Sequence, residues 1–338
     1  MNNKNEVLLG LSGGIDSEYS AKLLLEEGFT VIGMYINMLG KSVEGVKNVS
    51  EKLGIPLYIV DKNKEFGENV VSPFADYYQK GKTPNPCVEC NRFVKIQTLW
   101  EESKRLGIPY IATGHYAKIK KIGDRYCIAK GADTKKDQSY FLWKLTEEQL
   151  KVLKFPLGDV LKETLLSKQS YGYKESQDIC FIDKDYRDFL TEIGVSSSAG
   201  DFLSVDGKIV GRHNGICNYT RGQRKGLGVA LGYPAFVTKI DTLTNSITLG
   251  KREDLSVRTF WVRDLNFQAI EEFSGEREFT VKTRYRATPI LASVKLIDGK
   301  AKVCLSEPDS LVTPGQSAVF YDGECVAFGG EIIEEEMK

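Results

Sequence analysis

The string Ser12-Gly13-Gly14-Ile15-Asp16-Ser17 constrains this chain more than any other. Before it runs Val7-Leu8-Leu9-Gly10-Leu11, an apolar run of the length of a buried strand. After it, residues 18–27 place Tyr19, Leu23 and Leu24 at helical spacing, and Gly28 stands where a helix commonly stops. A strand, a Ser/Gly turn and a helix start together make an anion site. The glycines let backbone approach a phosphate, and the unpaired N–H groups and positive dipole end of the helix point at it. The spacing is neither G-x-x-x-x-G-K-[ST] nor G-x-G-x-x-G, which excludes the two commonest phosphate loops.

The next segments repeat one theme. Leu25-Glu26-Glu27-Gly28, Leu53-Gly54-Ile55-Pro56 and Leu106-Gly107-Ile108-Pro109 each end a helix and lead into an apolar strand, at residues 30–36, 57–60 and 110–113. Continuous apolar strands alternating with helices predict a doubly wound α/β domain, its parallel sheet covered on both faces. Ligands of such sheets sit beyond the carboxyl ends of the strands, which puts residues 12–17, Met34 and Gly114 at one rim. Residues 147–194 read as helical, with an irregular insert at 175–182. Beyond about residue 196 short alternating runs separated by Asp, Gly and Asn turns predict small β domains. The boundaries fall at 1–197, 198–255 and 256–338, a division that suits a length of 338 residues. No run approaches the ~18 apolar residues of a membrane span, and the first residues lack a signal-peptide core, so the expected compartment is the cytoplasm.

Seven cysteines in a reducing compartment point to thiol chemistry or metal binding and away from a disulfide framework. Cys87 and Cys90 form a C-x-x-C in a proline-stiffened loop, next to Arg92 and Lys95, so a lowered thiol pKa is expected there. No second C-x-x-C completes a zinc site. Cys127, Cys217, Cys304 and Cys325 lie in alternating patterns and read as core residues. Cys180 stands apart, in a polar irregular context.

Taken together in order, the motifs resemble those of the tRNA-specific 2-thiouridylases, within the PP-loop ATP pyrophosphatases of HUP-like fold. They are residues 10–17, Asn85-Pro86 with Cys90-Asn91, Thr113-Gly114-His115-Tyr116-Ala117, Lys136-Asp137-Gln138-Ser139-Tyr140-Phe141-Leu142 and Ser176-Gln177-Asp178-Ile179-Cys180-Phe181-Ile182. Tyr219-Thr220-Arg221-Gly222-Gln223-Arg224-Lys225-Gly226 and Thr283-Arg284-Tyr285-Arg286 with Thr313-Pro314-Gly315-Gln316 follow, so the match runs from Val7 to about Glu331.

The resemblance implies a C-terminal β-barrel after the central domain, and adenylation of the C2 oxygen of a wobble uridine by ATP, with Mg2+. A cysteine persulfide supplied by a sulfur-donor protein then displaces AMP. It places the persulfide on Cys180 with Cys90 as partner thiol. ATP contacts fall on Gly10, Leu11, Ser12, Gly13, Gly14, Ile15, Asp16, Ser17, Met34 and Gly114. Contacts to tRNA fall on Asn85, Pro86, Cys87, His115, Lys136, Asp137, Gln138, Arg284, Tyr285 and Gln316. Many members carry aspartate at Cys87. With cysteine there, Cys87, Cys90 and Cys180 form the ligand set of an iron–sulfur cluster with one open position, an alternative route for the same sulfur.

Net charge is zero, but its distribution is not even. Residues 118–136 hold seven basic side chains against Asp124 and Asp133, and residues 207–225 hold five and no acid, each net +5. Such stretches suit RNA phosphates, with Tyr116, Tyr219 and Tyr285 as stacking candidates, for a monomer acting on one tRNA. Two rivals stay open. An AMP-forming ligase for a small metabolite would not need Cys90 and Cys180, and a non-enzymatic RNA-binding protein would not need an intact loop at 12–17.

Overall fold

The computed structural model describes residues 5–167, 179–182 and 185–334. The motif residues Ser176, Gln177 and Asp178 lie outside them. The N-terminal domain opens with β1 (Glu6–Gly10), α1 (Ile15–Glu26), β2 (Thr30–Asn37), α2 (Glu44–Leu53) and β3 (Leu57–Asp61). A helical stretch follows, α3 (Asn63–Phe66), a π-helical turn and α4 (Ser72–Gln79). A second, α5 (Pro86–Glu89), runs through the π-helical segment Cys90–Lys95 into α6 (Ile96–Leu106). Then come β4 (Tyr110–Ala112), the hairpin β5 (Ala117–Ile122) and β6 (Arg125–Lys130), α7 (Glu147–Val152), β7 (Leu153–Lys154), α8 (Lys162–Ser167) and α9 (Tyr186–Glu192).

The parallel sheet has the order β3-β2-β1-β4-β7, reversing direction at β1 as a doubly wound sheet does. Val7, Leu8 and Leu9 in the central strand are fully buried. At the stops, Gly54 and Gly107 take the left-handed conformation expected of them. One expectation needs correcting: β3 is an edge strand, and Tyr58 and Ile59 are 42% and 45% exposed. An apolar run therefore did not guarantee cover on both faces.

The central domain is a sheet of β8 (Gly200–Ser204), β9 (Ile209–His213), β10 (Phe236–Asp241) and β11 (Ser246–Gly250) around Phe202, Val237, Ile247 and Leu249. The last domain is an antiparallel barrel of six strands, β12 (Val257–Phe267), β13 (Glu276–Lys282), β14 (Ile290–Ile297), β15 (Lys300–Asp309), β16 (Ser317–Asp322) and β17 (Cys325–Ile333), closed by pairing of β12 with β17. Closure covers residues 328–333 of β17 and leaves its start, at Cys325, open to a further strand.

The β5–β6 hairpin departs from the parallel sheet and extends the barrel, with Ala129 of β6 opposite Cys325 of β17. Gln268, 2% exposed, seals this joint. Its Oε1 accepts from Ile128 N at 3.1 Å, and its Nε2 donates to the carbonyls of Leu142 (3.1 Å) and Trp143 (2.9 Å). Trp143 Nε1 in turn donates to Ser317 Oγ at 3.0 Å. Truncating Gln268 strands one buried N–H and two carbonyls, each costing on the order of 1 kcal/mol or more. Gln268→Ala is expected to destabilise the protein by about 2–4 kcal/mol, read as a lower urea midpoint.

Candidate functional site

The loop at residues 12–17 folds back on itself. Ser17 Oγ donates to the Gly14 carbonyl at 2.9 Å, and Ser12 N donates to Ser17 Oγ at 3.1 Å. Gly13 takes φ +80, and a Cβ there would lie 3.2 Å from Val46 N, so only glycine fits. Gly14 caps α1 with no side-chain bond, which leaves first-turn N–H groups of the helix for an anion. Met34 pairs with Gly10, and Leu11 N donates to the Met34 carbonyl at 2.8 Å. Across the loop, a Cβ on Gly114 would stand 3.1 Å from the Asp16 carbonyl carbon. The ten loop and rim residues named from the sequence therefore meet at one end of the sheet.

Asp16, in the first turn of α1, is held by two neighbours. Its Oδ1 accepts from Tyr116 Oη at 2.8 Å and faces Lys162 Nζ at 2.6 Å. Sequence reasoning missed Lys162, which stands 146 positions away with no spacing signal to find it. Tyr116 is 3% exposed and Tyr219 7%, so neither can stack on a base as anticipated.

The thiols reverse one expectation. Cys90 does not begin a helix; it sits within the continuous helical run, where the α-helix widens into a π turn. It is 4% exposed, packed with Phe66, Val70 and Val94, and its Sγ is 3.9 Å from Met38 Sδ. Burial pushes its thiol up to about 12 and that of Cys87 up to about 11, with Lys95 as the opposing influence. Arg92 is turned elsewhere, donating to Gln97 Oε1 at 3.1 Å. Cys180 is exposed. Its neighbour Phe181 is pinned edge-on between Phe66 (5.4 Å), Phe74 (5.5 Å) and Phe189 (5.2 Å), which brings Cys180 to the wall that holds Cys90. Cys87, Cys90 and Cys180 all lie within electrostatic range of Lys95. Among the described residues no three His, Cys, Asp or Glu side chains are grouped as metal ligands. As placed, Cys87, Cys90 and Cys180 lack the convergence of a cluster site.

His115 links the two halves. Its Nδ1 is 2.8 Å from Thr113 Oγ1, its ring packs on Phe155, and burial with the nearby Lys95 pushes its pKa down to about 3. It is a neutral imidazole and a weak base.

The residues anticipated for tRNA divide. Tyr285 stacks obliquely on Phe141 at 4.4 Å, and burial, with the nearby Asp137 carboxylate, pushes its phenol pKa up. Asn85, Pro86 and Cys87 open α5, and Asn85 Nδ2 reaches Ser317 Oγ at 3.5 Å. Others serve internal bonds. Asp137 accepts from Gly131 N and from Ser139 N and Oγ, Gln138 Oε1 accepts from Tyr116 N, and Gln316 Nε2 donates to the carbonyls of Thr83 and Pro84. Lys136 N donates to the Asp133 carboxylate. Arg284 donates to Thr313 Oγ1 and the Arg221 carbonyl, while the buried Arg284 Nε and Arg221 Nε have no hydrogen-bond partner among the described residues.

The basic stretches are partly neutralised by other elements: Lys118 pairs with Asp159 and Lys120 with Glu324. Lys121, Lys135, Arg212, Arg224 and Lys225 remain exposed, and Arg224 edges an open cavity of about 450 Å³ with Leu227, Val229 and Tyr233. Of the cysteines read as core, Cys127, Cys217 and Cys325 are buried, but Cys304 is exposed and Cys217 lies in a 3-10 turn. No helix among the described residues is long and apolar enough to cross a membrane.

Three family models match end to end: a tRNA methyl transferase HUP domain over residues 5–184, a tRNA methyl transferase PRC-barrel domain over 187–251 and an aminomethyltransferase β-barrel domain over 257–333. The fold and the loop at residues 12–17 thus define a PP-loop protein with two appended β domains. The chain is 42% identical to tRNA-specific 2-thiouridylase MnmA 1 of Caldanaerobacter subterraneus subsp. tengcongensis, with 99% of each chain covered. It is 40% identical to tRNA-specific 2-thiouridylase MnmA of Acetivibrio thermocellus, with 97% of this chain and 99% of that one covered. The chain belongs to the tRNA-specific 2-thiouridylase family.

Two outcomes are expected at the site. Iodoacetamide near neutral pH should alkylate the exposed Cys180 at least about tenfold faster than the buried Cys90 or the half-buried Cys87, because the latter two stay protonated far above neutrality. Peptide mass spectrometry against time reads this directly. The ring resonances of His115 should stay fixed between about pH 5 and pH 8, where a free histidine titrates.

Proposed function

We propose that the chain is an ATP-dependent tRNA thiolase, replacing the C2 oxygen of a wobble uridine with sulfur carried on Cys180. One juxtaposition supports the reading. A phosphate-receptive loop follows β1, the buried Cys90 and the exposed Cys180 share the Phe66–Phe181 wall, and Lys95 is within electrostatic range of both thiols and of His115. ATP with Mg2+ would supply the AMP that turns the uridine oxygen into a leaving group.

The chain's residues then have distinct tasks. First-turn N–H groups of α1, with Ser12 and Ser17, hold the phosphate end, and Met34 and Gly114 border it. Tyr285 and Phe141 offer an aromatic wall for a base turned out of its stack, with Asn85 and Cys87 beside it. The terminal sulfur of a Cys180 persulfide attacks C2 and expels AMP. Cys90 gives its proton to water and attacks Cys180 Sγ. The base keeps the outer sulfur with the electron pair of the broken S–S bond, and a Cys90–Cys180 disulfide forms that an external dithiol must reduce. Burial keeps Cys90 protonated at rest, so it does not discharge the persulfide early. The exposure of Cys180 suits loading by a sulfur-donor protein. Exposed Lys121, Arg224 and Lys225 and the two β domains would hold one tRNA on a monomer, in the cytoplasm.

The test is nucleoside mass spectrometry of unmodified tRNA incubated with the protein, Mg-ATP and a persulfide source. The expected result is the mass gain of sulfur for oxygen on uridine, abolished in Cys180→Ala and in Cys90→Ala. An ATP-dependent activity indifferent to both substitutions would instead favour a small-metabolite ligase.

A further inference from the structure

Two cysteines far from the thiol pocket meet at the joint between the first domain and the barrel. Ala129 of β6 stands opposite Cys325 of β17, so Cys127, two residues back on the same face of β6, is the diagonal neighbour of Cys325. Cys127 is fully buried and Cys325 is 6% exposed, and with Ala129 and Ala269 they form one apolar cluster. The small alanine side chains let the two free thiols meet, and a hydrogen bond joins them. Cys127 Sγ also donates to the Lys120 carbonyl at 3.6 Å, across the hairpin, which fixes its position on β6. Burial and the second thiol push the Cys127 pKa up to about 12, so it stays a thiol near neutrality.

The joint they occupy is narrow. β5 and β6 are registered over six residue pairs, whereas β6 and β17 share one, Ala129 with Cys325. Lys130 N donating to the Glu324 carbonyl at 3.0 Å and the Gln268 amide supply the rest. A covalent bond here would tie segments roughly 200 positions apart, and a cross-link that closes so long a loop restrains the unfolded chain strongly.

We propose that Cys127 and Cys325 are a redox-responsive clasp: hydrogen peroxide converts them to a disulfide that fastens the β5–β6 hairpin to the barrel, and a dithiol reopens it. Cys325, the less enclosed sulfur, attacks the peroxide. The O–O bond breaks, a sulfenic acid forms on Cys325, and one water leaves with the thiol proton. Cys127 Sγ then attacks the Cys325 sulfur, the S–O bond breaks, and the hydroxyl leaves with the Cys127 proton as a second water. Two thiols lose two electrons and two protons, and one peroxide becomes two waters. The inference is independent of the thiolase reading, whose disulfide joins Cys90 and Cys180 in another pocket.

The experiment treats the full chain with a few equivalents of hydrogen peroxide, blocks the remaining thiols with iodoacetamide and maps peptides by mass spectrometry without reduction. Wild type, Cys127→Ala and Cys325→Ala are compared, and thermal unfolding is recorded with and without dithiothreitol. The expected result is a peptide pair joined through Cys127 and Cys325, two hydrogens lighter than the free peptides together. The oxidised wild type should unfold at least about 3 °C above the reduced form, a rise that dithiothreitol removes and that both variants lack. If a variant does not fold, the wild-type peptide map still decides the linkage. Free Cys127 and Cys325 under conditions that fully oxidise the exposed Cys180 overturn the proposal. So does a bridge that forms only in urea, or one that leaves the unfolding temperature unchanged or lower.

Discussion

The architecture depends on the joint between the β5–β6 hairpin and the barrel. A parallel sheet can bury helices on its faces but offers nothing to bind a separate barrel firmly. Here two strands of the first domain continue the sheet of the last, and the amide of Gln268 uses both its ends on backbone of the first domain. Asn266 adds bonds to the carbonyls of Trp143 and Leu145. Because Trp143 follows directly on Tyr140, Phe141 and Leu142, the same joint sets the aromatic wall that Tyr285 completes from the barrel side. Gln316 reinforces it from the opposite direction by holding the proline loop ahead of Cys87. The site is therefore assembled between domains, and its precision is that of a packed interface.

At the phosphate loop, charge is admitted where a partner is built in. Glu18, 1% exposed in α1, is matched by Lys22 and Lys52, which together hold its carboxyl below the usual range against the desolvation that would raise it. Asp16, on the open side of the same helix, is matched by Lys162. Among the described residues the thiol pocket has no carboxylate partner for Lys95, and burial dominates there, so Cys90 and Cys87 rest as thiols. A reactive sulfur in a crowded cell benefits from that. The protected thiol stays inactive, and the exposed one, Cys180, takes the exchange with outside partners.

Much of this was readable in one dimension. The loop at residues 12–17, the helix stops at Gly54 and Gly107, the alternating texture after residue 196 and the ordered motifs are local signals, set by backbone sterics and by side-chain period. They were enough to give a doubly wound sheet and two β domains, and to name the rim where Gly10, Met34 and Gly114 meet. Local signals misled where an outcome depends on what packs alongside. Tyr58 and Ile59 read as interior and lie on an edge, Cys304 reads as core and is exposed, and Tyr116 and Tyr219 read as stacking surfaces and are buried.

The sequence by itself determined which backbone conformations the chain must adopt and which chemical groups it carries, because glycine, proline and apolar period act over a few residues. Only the tertiary structure decided the state of those groups. A C-x-x-C beside Arg92 and Lys95 promised lowered thiol pKa values, but Arg92 turned away and desolvation raised them. Asp16, named from the sequence only as a nucleotide contact, is met by Lys162 from 146 positions along the chain. Ionisation depends on everything within a few ångströms of a group in space, and sequence distance carries almost no information about that neighbourhood.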